Sequence, residues 1–213
     1  MIDLHMIKEN PMNSKEIYWK GKHVERADRN FHGCLRERFD RGVFNQAKHV
    51  LRSDSTVVDI GAGTGYLTRG FAEMLREGKV IAVDESSEML DKLIARSKRH
   101  GIRNRVHIHP SDASQVGLAD NTADIVVSAH LLHEVPDPER VMKEAWRILK
   151  PGGILVVQDF RRGPISLVFR FTHHKTAAGP LGIREIHDML DAIGFTDIIV
   201  KAGVMRYTAS ARK

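Results

Sequence analysis

Cysteine is nearly absent from this chain of 213 residues: Cys34 stands alone. A lone thiol cannot close an internal disulfide, and by itself it builds neither a metal cluster nor a thiol relay. That usage fits a reducing compartment, and the cytoplasm is the expected location. No run of eighteen apolar residues exists, so no membrane-spanning helix is expected. The opening MIDLHMIKENPMNSKE has no basic start followed by an apolar stretch, so it does not read as a secretory signal. No internal repeat and no low-complexity linker interrupts the chain. The apolar fraction of 42% with 28% charged residues is ordinary for a folded domain.

The formal charge of +6 is unevenly spread. Residues 1–52 carry 11 Lys and Arg against 7 Asp and Glu, residues 53–159 carry 13 against 16, and residues 160–213 carry 9 against 4. A mildly acidic middle is thus flanked by two basic stretches. Solubility accounts for that pattern as well as a positive surface around a phosphate, a carboxylate or RNA does.

From residue 56 onward, short apolar runs alternate with helical patterns, which predicts a parallel sheet with crossover helices. Strands are expected at 56–60, 79–83, 106–109, 124–129 and 154–158. An antiparallel pair at 195–200 and 204–208 follows, turning at Ala202-Gly203. Helices are expected from Leu67 to Leu75 with Gly78 as a stop, from Ser86 or Ser87 onward, from Pro138 to Leu149, and over 183–193 with Gly194 as a stop. Residues 1–52 read as a mainly helical cover over the functional edge of the sheet, within the same domain as residues 53–213.

The segment Val57-Val58-Asp59-Ile60-Gly61-Ala62-Gly63-Thr64-Gly65-Tyr66 runs from a strand through glycines into a helix. A dinucleotide loop reads GxGxxG and would need its third glycine at position 66, which is Tyr66 here. The pattern is instead DxGxGxG, with Asp59 ahead of the turn. A carboxylate there repels a pyrophosphate and suits a cation. S-adenosylmethionine carries a sulfonium and an ammonium and no phosphate, so its charge has the right sign. Asp84, 19 residues past Gly65 at the end of the second strand, can accept hydrogen bonds from both hydroxyls of a ribose.

These motifs, with PSDA, VVSAHLLHEVPDPERVMKEAWRILKPGG and ILVVQDF, resemble the class I (Rossmann-like) methyltransferases from about Asp54 to Phe160. Within them the likeness is to the small-molecule group that includes the quinone-biosynthesis C-methyltransferases. The resemblance implies a seven-stranded, mostly parallel Rossmann-like α/β sheet with an antiparallel last strand and helices on both faces. It implies S-adenosylmethionine as cofactor, with Gly61, Ala62, Gly63 and Gly65 beside the methionine moiety and Asp59 toward its amino end. It places Asp84 on the ribose, Glu85 beside the adenine, Asp112 and Ala113 at the adenine amino group, and Ser128 under the reacting end.

Methyl transfer from a sulfonium is an in-line displacement driven largely by alignment, and a base is needed only where the acceptor must lose a proton. His130 and His133, just after the fourth strand, have the position and the near-neutral free pKa for that task. Arg161, Arg162 and Arg170 are candidates for an anionic acceptor. His173 and His174 fall among expected substrate contacts, but adjacent histidines without an acidic or cysteine partner at ligand spacing do not point to a metal. Tyr18, Trp19 and Phe31 are candidates for the acceptor pocket. No Asn/Asp-Pro-Pro-aromatic motif follows the fourth strand, which disfavours nucleobase or glutamine amino methylation. The missing cysteine pair disfavours 5-methylcytosine formation in RNA and arsenic methylation. The expected acceptor is a small molecule, methylated on O, N or C. RNA and a non-catalytic cofactor sensor are the rival readings, and oligomeric state is not legible.

Overall fold

The computed structural model describes residues 34–163 and 177–213. Seven strands form one sheet: β1 Thr56–Ile60, β2 Lys79–Asp84, β3 Val106–Pro110, β4 Ala123–Ala129, β5 Leu149–Phe160, β6 Thr196–Ala202 and β7 Arg206–Arg212. Their spatial order is β3-β2-β1-β4-β5-β7-β6. The first five strands are mutually parallel, and β7 inserts antiparallel between β5 and β6. This is the mostly parallel sheet with an antiparallel last strand that the sequence led us to expect. The order reverses between β1 and β4, and a crevice for ligands opens outside the carboxyl ends of the strands at such a reversal.

The helices are α1 Cys34–Ala47, α2 Tyr66–Met74, α3 Ser87–Arg99, α4 Pro138–Ile148 and α5 Ile183–Ile193. Because strand side chains alternate, β1 serves two cores: Val57 faces one layer, while Val58 and Ile60 face the other. Leu67, Phe71 and Ala72 of α2, with Leu90 and Leu93 of α3, fill the first core together with Val43 and Ala47 of α1. Val141, Met142, Ala145 and Ile148 of α4 fill the second, with Ile186 and Leu190 of α5. Full burial of side chains such as Phe71 or Leu149 contributes roughly 1.5–3 kcal/mol each. Of the expected N-terminal cover, α1 lies on the sheet face over β5 and β7, where a Cβ on Gly42 would sit 3.1 Å from Thr208 Oγ1. Residues 1–33, with Tyr18, Trp19 and Phe31, lie outside the described residues, as do Arg170, His173 and His174.

The helix caps follow the local chemistry. Ser86 caps α3 by accepting from the Met89 N–H, and Asp137 caps α4 by accepting from the Arg140 N–H, with Pro138 in the first turn. Gly182 N–H donates to the Glu185 carboxylate at the start of α5, and Gly194 ends that helix in the left-handed region.

Three boundaries differ from expectation. Strand β5 begins at Leu149 and carries Pro151-Gly152-Gly153 as an irregularity in its register with β4, so these residues lie within a strand rather than closing a helix. Strand β7 runs over 206–212 instead of 204–208, because Gly203 N–H turns back to the Arg206 carbonyl and pairing starts only beyond it. Gly78 is a close contact more than a helix stop: a Cβ there would collide with the Ser55 carbonyl oxygen, while its N–H donates to the Ser53 carbonyl.

Candidate functional site

Leaving β1, the chain bends sharply because Gly61 and Ala62 both donate their N–H groups to the Val83 carbonyl on β2, at 2.9 Å. Gly61, Gly63 and Gly65 all have positive φ. Gly65 shows why: it sits in the left-handed region at the start of α2, where a Cβ would also stand 2.5 Å from Leu93 Cγ of α3. The loop therefore lies flat against α3 and presents backbone to the crevice.

At the end of β2, the Asp84 carboxylate accepts the Gly63 N–H at 2.8 Å on one oxygen and the Ser86 N–H at 2.9 Å on the other. Burial pushes the carboxyl of Asp84 above the ordinary aspartate range, and the Ser86, Gly63 and Glu85 N–H groups offset part of that rise. The carboxylate is thus aimed by two backbone donors and costly to desolvate further, a suitable state for accepting ligand hydroxyls.

Around these groups lies a crevice that is open to solvent on one side. Gly61 to Thr64 and Tyr66 form its floor; Asp84, Glu85, Met89, Ser111 and Ala113 form one wall; Ala129, His130, Leu131, Glu134 and Val135 form the other. Among the described residues its charged side chains are three carboxylates, Asp84, Glu85 and Glu134, with no Lys or Arg. Such a lining disfavours a pyrophosphate and favours a nucleoside carrying positive charge.

Of the residues singled out from sequence, Gly61, Ala62, Gly63, Asp84, Glu85, Ala113 and His130 share this cavity. The others stand behind it. Asp59 is buried and accepts the Thr68 hydroxyl at 2.6 Å, which ties β1 to α2. Gly65 sits at the helix start. Asp112 lies between two lining residues, its carboxylate accepting the N–H and the hydroxyl of Ser114 at 2.6 Å. Ser128 is buried and donates to the Ile60 carbonyl at 3.0 Å, joining β4 to β1.

The two histidines have separate surroundings. His130 adopts φ +60 at the first position past β4, its N–H donating to the Gln158 carbonyl at 2.9 Å. Its ring packs against Phe160 with centroids 5.1 Å apart. His133 is 3% exposed; its Nδ1 lies 2.7 Å from Asp159 Oδ1 and its backbone N–H donates to Asp159 Oδ2 at 3.2 Å. On its far side, Nε2 lies 3.5 Å from the Glu134 carboxylate. Burial opposes the charged imidazole, but Asp159 and then Glu134 outweigh it and hold its pKa above the ordinary histidine value. The reciprocal effect prevails on Asp159: burial pushes it up, and His133, His130 and the Phe160 N–H together bring it below the usual aspartate value. Tyr207, opposite Asp159 on β7, is held neutral by burial and by that carboxylate.

Sequence reasoning passed over Thr64, Met89, Ser111, Leu131 and Val135 as lining residues, and Asp159 altogether. A charged residue ending the otherwise apolar run ILVVQDF was the signal for Asp159; Met89 had none, since it reads as part of an apolar helix face. Of the arginines proposed for an anionic acceptor, the two that are described have partners within the chain. Arg161 donates to the Gly203 carbonyl at 3.2 Å, and Arg162 pairs with Glu185 at 2.6 Å.

A family model described as a methyltransferase domain matches residues 58–157, which hold the glycine loop, Asp59, Asp84 and the two histidines. Over those residues the chain is similar to a methyltransferase domain. The ubiquinone/menaquinone biosynthesis C-methyltransferase UbiE of Haemophilus ducreyi is 32% identical over 125 residues, 57% of this chain and 48% of that protein. The chain thus spans about half the length of the curated relatives it matches. Among solved structures, a SAM dependent methyltransferase from Aquifex aeolicus superposes with a TM-score of 0.68 at 22% identity, over 88% of this chain and 97% of that one. Phosphoethanolamine N-methyltransferase 2 of Haemonchus contortus, in complex with S-adenosyl-L-methionine, gives 0.79 at 15% identity, over 95% and 60%. At these identities the solved structures show the fold alone. The acidic, glycine-floored cavity has the charge to fit a cation such as S-adenosylmethionine.

Proposed function

We propose that this chain transfers a methyl group from S-adenosylmethionine to O, N or C of a small-molecule acceptor. The carrying observation is the cavity beside the glycine loop, whose charged side chains among the described residues are all carboxylates. The cofactor, when bound, supplies an electrophilic methyl on a sulfonium. In this reading Asp84, aimed by its two N–H donors, accepts the ribose hydroxyls, and Glu85 flanks the adenine with Ala113. The exposed backbone of Gly61 to Gly63 takes the methionine end. Asp59, Gly65, Asp112 and Ser128 shape the strand ends and loop on which those residues ride. Alignment supplies most of the acceleration, and His130, on the cavity wall, is the better placed of the two histidines to take a proton from an acceptor. The His133 ring, clamped by carboxylates, supports the loop instead.

Cytoplasmic residence is part of the proposal and rests on the single cysteine. Among the described residues no helix is long and apolar enough to cross a membrane. Incubation with cofactor labelled in its methyl group, followed by separation of small-molecule and RNA fractions of the source cell, tests the reading. Label in the small-molecule fraction supports it, label in RNA replaces the acceptor class, and tight cofactor binding with no transfer would make the chain a sensor.

A further inference from the structure

Among the described residues, the chemistry proposed above does not use the buried side chain of Arg96. Arg96, on the third turn of α3, is 7% exposed. One of its guanidinium nitrogens donates to both the carbonyl and the hydroxyl of Thr64, at 2.7 and 3.1 Å. Thr64 is the loop residue between Gly63 and Gly65 and lines the cavity. Leu93, one turn earlier on the same face, is the side chain against which Gly65 packs. The other end of α3 is tied to the same site, since Ser86 caps the helix and its N–H donates to Asp84. Asp84 in turn accepts from Gly63. The chain of contacts closes on itself: Gly63 to Asp84, Asp84 to Ser86, along α3 to Arg96, and from Arg96 to Thr64.

We propose that Arg96 is a positioning residue for cofactor binding: through Thr64 it locks the glycine loop at a fixed distance from the Asp84 carboxylate. The inference rests on the cofactor reading of the cavity. A buried guanidinium is expensive to desolvate, and a structural contact alone would be served by an apolar side chain of similar volume. Here a single guanidinium nitrogen grips both a carbonyl and a hydroxyl of one residue, in a loop that is largely glycine and otherwise conformationally permissive. Without the grip, the loop's backbone groups must be ordered by the ligand itself, and that ordering weakens binding.

Calorimetric titration with S-adenosylhomocysteine, well below each variant's melting temperature, tests this. Arg96→Met keeps the stem and removes the donors; Thr64→Val removes the hydroxyl; Arg96→Lys keeps the charge on a shorter side chain that reaches less far toward Thr64. Arg96→Met is expected to bind about tenfold or more weakly, the size of one charge-assisted hydrogen bond. Arg96→Lys should fall between it and the wild type. The double variant with Thr64→Val should lose less than the sum of the single losses. In turnover, KM for the cofactor should rise while KM for the acceptor stays put. A folded Arg96→Met protein, or Arg96→Lys should the first not fold, that melts earlier yet binds with wild-type affinity overturns the proposal. A wild-type protein that does not bind the probe refutes the cofactor reading itself, and this inference falls with it.

Discussion

The carboxylate of Asp159, at the end of β5, holds His133 twice, through the ring Nδ1 at 2.7 Å and through the backbone N–H at 3.2 Å. Those bonds fasten the β4–α4 loop, which forms one wall of the cavity, to the neighbouring strand. Both partners are almost fully buried. Removing one of them leaves the other uncompensated, so Asp159→Asn is expected to destabilise the fold by about 3–5 kcal/mol. Urea unfolding of the variant against the wild type measures it, and a change under 1 kcal/mol would show that the pair is not ionic.

The same pair makes stability depend on pH in a definite direction. Asp159 and Glu134 hold the His133 pKa above its ordinary 6.5 in the folded state, against the opposing effect of burial. The folded protein therefore binds this proton more tightly than the unfolded chain does. The stabilisation is complete below pH 6.5 and disappears as pH rises through the folded value. Melting temperatures of the wild type and His133→Gln, measured across that window, should converge as pH rises; a gap that widens contradicts the assignment.

Asp84→Asn should leave the sheet intact and weaken cofactor binding by about 10- to 100-fold, since an amide replaces a charged acceptor and turns its NH₂ toward backbone donors. Because burial raises the Asp84 pKa, wild-type affinity should begin to fall on acidification at a pH above the ordinary 3.8. Titration calorimetry with S-adenosylhomocysteine over an acidic series reads both effects.

At His130 the backbone conformation itself shapes the test. Its φ of +60 is tolerated by Asn better than by Ala. His130→Asn should therefore keep the loop in place and remove only the titratable ring. If His130 takes the acceptor's proton, kcat falls by roughly 10²–10⁴-fold and the acidic limb of the pH–rate profile disappears. An unchanged profile in the Asn variant would leave His130 as a wall of the pocket and no more.

The parallel core was legible because strands such as Val57-Val58 and Ile125-Val126-Val127 are apolar on both faces and are punctuated by glycine and by capping residues. Asp84 was legible because its place after a strand, at a fixed distance from the loop, is a local relationship. Strand β7 was read two residues early: its buried positions past Tyr207 are Ala209, Ser210 and Ala211, too small to stand out as an apolar run. Gly78 looked like punctuation and proves to be a close approach to Ser55, a contact visible only once β1 and β2 are side by side. The link between His133 and Asp159 spans 26 residues of sequence, and no periodicity announces a pairing made across two adjacent strands. Asp59 and Ser128 have the polarity of ligand contacts, but each is used to join one strand to a neighbouring element.

The stretch between β5 and α5 leaves and rejoins the frame beside the cavity. Arg162 donates its N–H to the Leu181 carbonyl, Ala178 to Val135, and Gly179 to His133, at 2.8 to 3.1 Å. Its two stems are thus stitched together and to the wall that carries His130 and Glu134. A graft between such stems closes a loop whose ends are already met, and lengthening it costs little, about 0.6 kcal/mol per doubling. Changes of length between the two stems therefore leave the glycine loop and Asp84 on their own strands, untouched.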